Sequence, residues 1–139
     1  IVTEAWARFL ANNQPIEVTR VAIRNINRMS RPWSDVESVC QDFRSWYPLL
    51  EMGAPKTPLL HFHRLAFEEP YQTHAQIGQI LEEPRDGGGL NVVLDIDCWT
   101  EGAWKADNLP LGDLFANLRN RKNIAFFESF REGSDLWMS

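Results

Sequence analysis

Apolar and polar positions follow two rhythms along this 139-residue chain, and the switches between them mark its elements. Val2, Ala5, Trp6, Phe9 and Leu10 recur at steps of three and four, which predicts an amphipathic helix over 2–12, stopped by Asn12, Asn13 and Pro15. From 18 to 29 the period drops to two. Thr19, Val21, Ile23, Asn25, Asn27 and Met29 take one side, and Val18, Arg20, Ala22, Arg24, Ile26 and Arg28 the other, so both faces of this strand mix apolar and polar residues. Ser30-Arg31-Pro32 ends it. Ser34 followed by Glu37 has capping-box spacing, and Val36, Val39, Cys40 and Phe43 set a short helix over 35–44.

An apolar bend at Trp46, Tyr47, Leu49 and Leu50 leads into a loop carrying Gly53, Pro55 and Pro58. Strands are then expected over 58–69, 74–83 and 90–101. Their connections, Pro70-Tyr71-Gln72 and the segment 84–89 with its three glycines, are too short for a crossover helix, so the three form an antiparallel meander. The last strand alternates most cleanly: Leu90, Val92, Leu94, Ile96 and Cys98 on the side meant for the helices, Asn91, Val93, Asp95, Asp97 and Trp99 on the other. A long C-terminal helix follows, with Asn108 as its cap and Pro110 in its first turn. Leu111, Leu114, Phe115, Leu118 and Ala125 are its stripe, and Gly133 lies past its end. These elements define one α+β domain over 1–139: an antiparallel sheet of about four long strands with helices packed on one face.

Composition changes this picture little. At 44% hydrophobic and 24% charged the chain is ordinary for a globular protein, and no apolar run approaches a membrane span. A net charge of −5 makes nucleic acid an improbable partner. Two cysteines, both on apolar stripes, are expected to be buried and unbonded, which suits a reducing, cytoplasmic setting.

Three constellations carry candidate chemistry. His61-x-His63 and Asp95-x-Asp97 each put two ligand-type side chains on one strand face; if those faces coincide, they form a metal set. Arg20, Arg24 and Arg28 form a row that either clamps an anion or pairs within the fold with Asp95, Asp97 and Glu82. Trp99 between acids, Trp104 just beyond it and Trp137 in the tail are expected to lie on an exposed apolar surface. Gly87-Gly88-Gly89 lacks the Lys-Ser/Thr of a phosphate loop, and Arg119, Arg121 and Lys122 read as a solvated helix face. No motif calls for a cofactor.

The strand Arg24-Asn25-Ile26-Asn27-Arg28, the segment Leu94-Asp95-Ile96-Asp97-Cys98-Trp99 and the tail 123–130 ending Phe127-Glu128-Ser129-Phe130 occur in that order. Together they resemble the C-terminal half of a sporadically distributed, uncharacterised prokaryotic protein family with an R-x-I-N-R strand, an L-D-I-D strand and a terminal F-E-S helix. The resemblance implies a chain of about twice this length with an N-terminal half, which fits a sequence opening on Ile1. It implies no activity. The function expected is therefore a non-catalytic binding or protein-interaction domain, its partner the N-terminal half, another protein or a second copy. Arg24, Asn27, Asp95, Asp97, Trp99 and Trp104 are its candidate contact residues. The alternative is a metal-dependent hydrolase or phosphoesterase using His61, His63, Asp95 and Asp97.

Overall fold

The computed structural model describes residues 2–13, 17–44, 60–68, 70–82 and 89–134. The apolar bend at 46–50, the loop around Gly53 to Pro58, the glycine hairpin tip up to Gly88 and Trp137 lie outside these residues. The chain runs α1 (Val2–Asn12), β1 (Glu17–Trp33), α2 (Val36–Asp42), β2 (Leu60–Phe67), β3 (Thr73–Glu82), β4 (Leu90–Lys105), a 3-10 turn (Ala106–Asn108) and α3 (Leu111–Glu128). All pairings are antiparallel and the strand order is β1-β4-β3-β2. The expected meander is β2-β3-β4. The first strand joins it on the β4 side, so β1 and β2 form the two edges.

This is the α+β architecture read from the sequence, with three helices against the sheet. The side of β4 carrying Val92, Leu94, Ile96 and Cys98 is fully buried beneath α3, whose Leu111, Leu114, Leu118 and Ala125 meet it. Burying one such leucine contributes roughly 1.5–3 kcal/mol, so this seam anchors the fold. Both cysteines are buried thiols outside any disulfide, and burial pushes each up to about 11. No described helix is long and apolar enough to cross a membrane.

Three boundaries differ from the sequence reading. β1 continues past Pro32 to Trp33, with a register irregularity after Ser30; an edge strand tolerates the missing donor. The capping box lies one residue on, between Asp35 and Ser38. Asp35 Oδ1 accepts the Ser38 N–H at 2.8 Å while Ser38 Oγ accepts the Asp35 N–H at 3.3 Å, and these bonds hold the Asp35 carboxyl below its usual range. Asn108 closes a 3-10 turn rather than capping α3, whose N-cap is Pro110. Past the end of α3, the residue with positive φ is Gly133, at 87°.

α2 and the end of α3 lock together around aromatic rings. Phe43 and Phe130 pair as an isolated bridge with ring centroids 5.2 Å apart, and Trp33 packs on Phe43 while its indole N–H donates to Asp42 at 2.7 Å. α1 is different. It lies at the β1 edge and none of its residues is buried.

Candidate functional site

Residues directly opposite in antiparallel register share a face, so the pairing fixes what each side of the sheet presents. Opposite the helices lie four cross-strand rows. They are Ala22–Trp99–His74–Ala66, Arg24–Asp97–Gln76–Arg64, Ile26–Asp95–Gly78–Phe62 and Arg28–Val93–Ile80–Leu60, each read from β1 through β4 and β3 to β2. No described helix covers this open face.

Its three β1 arginines are ion-paired. Arg20 reaches Asp97 at 3.1 Å, Arg28 reaches Glu82 at 2.9 Å, and Arg24 grips Asp95 with Nε at 2.8 Å and Nη2 at 2.5 Å. The partners are the three acids expected, reached along diagonals rather than straight across, because a long arginine spans the neighbouring row. Arg24 is fixed by both arms of its fork, and the carboxylate raises its pKa. In every pair the guanidinium is the more exposed member. The arginines therefore top the face and the carboxylates lie beneath.

Trp99 is shielded, not exposed. Only 9% of it is accessible: Arg20 and Arg64 sit over its ring at 5.3 and 5.4 Å, His74 stacks at 5.3 Å, and its N–H donates to Glu101 at 3.1 Å. Trp104 is half-buried against the core and folds over Gly102. The expected tryptophan surface is thus corrected: long cationic side chains on the neighbouring strands cover the indole. The open face's apolar exposure falls instead on Ile26, Leu60 and Phe62, at 58%, 53% and 53%. Phe62 lies across the strand at Gly78, where an added Cβ would come within 3.0 Å of its ring, so glycine is what lets the aromatic side chain cross β3 there. Alternation in β2 contained this signal, since Leu60 and Phe62 share parity, but which parity faces solvent is set by pairing with β3.

The metal set does not assemble. Register pairs position 61 with Gln79 and position 63 with Ile77, and those residues with Leu94 and Ile96, on the helix side; Asp95 and Asp97 take the open side. Strand positions 61 and 63 thus lie on the side of the sheet opposite the one that Asp95 and Asp97 take. Among the described residues no group of three or more His, Cys, Asp or Glu side chains is placed to hold a metal. Asn27 also leaves the contact set. It shares the helix side with Leu94, half-buried, where its Oδ1 accepts from Asn25 at 3.5 Å and its amide nitrogen has no hydrogen-bond partner. Of the six contact candidates, Arg24, Asp95, Asp97 and Trp99 come together on the open face; Asn27 and Trp104 do not.

The fold and site define a layered α+β protein with an uncovered, ion-paired sheet face. Comparison with protein-family models, curated proteins and solved structures finds no match to the chain.

Proposed function

We propose that this chain is a non-catalytic interaction domain that docks through its open sheet face, and that the partner is a second copy. The observation that carries this reading is the make-up of that face. Exposed Ile26, Leu60 and Phe62 lie between ion pairs that are already satisfied. The face's eight described charges, Arg20, Arg24, Arg28, Arg64, Glu82, Asp95, Asp97 and Glu101, sum to zero on a chain of net charge −5. Two acidic copies repel through most approaches and least through a neutral face. A twofold axis running parallel to such a face, midway between the two copies, sets sheet on sheet about 10 Å apart, with the apolar side chains between them. Arginine and aromatic side chains are the types enriched in such contacts.

Sedimentation of the chain at micromolar concentration tests this. The expected result is a dimer that Phe62→Asp or Ile26→Asp converts to a monomer with unchanged circular dichroism. A wild-type monomer across that range overturns the reading.

A further inference from the structure

The loose packing of α1 carries a separate inference. α1 has a regular apolar stripe, yet Val2 and Phe9 remain 47% and 44% exposed and Trp6 is only half-buried. The wall it faces is also apolar: Val18 and Val21 of β1, Leu109, and Leu111 and Phe115 of α3. Two apolar walls that do not close on each other leave a groove of about 420 Å³. Small-molecule sites run from about 300 to 1,000 Å³ and are lined mainly by apolar side chains with a few placed polar groups.

The one charged residue in this lining is Arg20. Its guanidinium rests on the Trp99 ring and reaches Asp97 through a single Nη2 contact, where Arg24 spends two donors on its carboxylate. A guanidinium has five donors in a planar fork, so Arg20 retains the capacity to take a second carboxylate. An apolar slot with a lone cation matches a ligand with an apolar tail and one negative end.

We propose that the groove between α1 and the β1 edge binds a monocarboxylate amphiphile, its aliphatic tail against Trp6, Phe9 and Phe115 and its carboxylate on Arg20. Binding closes α1 onto the body by filling the gap. Arg20 also belongs to the open face, so the two readings are told apart at Phe62, which lies on β2 at the opposite edge of the sheet and outside the groove. An extended peptide added to the β1 edge fits less well, because the groove is lined by side chains with one polar member and strand addition needs exposed backbone donors and acceptors.

The test uses the whole chain, titrated with dodecanoate below its micelle-forming concentration and followed by calorimetry and tryptophan fluorescence. Saturable binding of one dodecanoate per chain is expected, with acetate inert and dodecanol weaker. Arg20→Gln should weaken dodecanoate by about tenfold or more, the loss of one charge-assisted contact, and bring it level with dodecanol. Ala5→Phe, which fills the slot from an exposed α1 position, should abolish binding while circular dichroism and sedimentation stay unchanged. Absence of saturable binding overturns the proposal, as does equal binding by wild type and Arg20→Gln. Binding to anionic phospholipid vesicles without binding to monomeric dodecanoate also overturns it, and makes α1 a membrane-surface helix instead.

Discussion

The two faces of this sheet are built from the same four strands and reach opposite solutions to polar groups. On the open face, charged side chains outnumber the exposed apolar ones, and Arg20, Arg24 and Arg28 of β1 each have a partner among Asp95, Asp97 and Glu82. On the helix face, few polar groups occur and some are orphaned: Gln79 is fully buried with neither amide atom hydrogen-bonded, in the same cross-strand row as the half-partnered Asn27, with Leu94 between them. Long side chains in water find each other along diagonals. Short amides wedged under a helix reach only what packing places beside them. Partnered charge on this protein therefore marks the solvent side and unpartnered polarity the core.

That contrast can be broken by mutation. Leu94→Ala on the helix face should cost about 2–5 kcal/mol by urea unfolding, through a cavity beneath α3. Ile26→Ala on the open face should stay within about 0.5 kcal/mol. Near-equal costs would mean that both faces are covered. Gln79→Met keeps length and removes the amide, so it should stabilise the fold by about 1–2 kcal/mol. A loss of stability there would show that the amide is bonded in solution and that the two faces do not differ in this respect.

The thiols sharpen the comparison through pH. Cys98 lies on the helix face and Cys40 in α2, and burial raises both from 9.0 to about 11. Between those values the unfolded chain gives up thiol protons that the native chain keeps, so stability present below pH 9 should fall as pH rises towards 11. Thermal unfolding of wild type against Cys98→Ala measures it; the slope should flatten in the variant. Native protein should meanwhile resist thiol reagents that label the unfolded chain at once. The smallest effect is expected at Arg24→Ala. Its pair with Asp95 is bidentate, but the arginine side chain is 59% exposed, so the loss should be barely measurable by urea unfolding and shrink in salt.

Short-range pattern was legible wherever a single face decides burial. The alternation of Val92, Leu94, Ile96 and Cys98 identified the buried side of β4, and the stripe Leu111, Leu114, Leu118 and Ala125 identified the contact face of α3. The choice of Asp95, Asp97 and Glu82 as partners for the β1 arginines was legible too, because parity and charge leave few alternatives. The relation between the two chemical pairs was not. His61-x-His63 and Asp95-x-Asp97 each share a face, and nothing local says whether it is the same face; a one-residue change of register across β3 would have reversed the answer. Trp99 was misjudged for a related reason. Its cover is Arg20, Arg64 and His74, from three other strands.

By itself the sequence determined periods and parities: which residues of each strand travel together, which stripe each helix carries, and that both cysteines ride on apolar stripes. Those follow from backbone geometry that repeats within a few residues. Only the tertiary structure decided that β1 joins β4 across more than fifty intervening residues, which parity of β2 meets solvent, and that α1 stops short of closing on the body. These are choices among distant surfaces of similar local quality. They are settled by total burial and by the reach of side chains across strands, quantities that no stretch of chain contains alone.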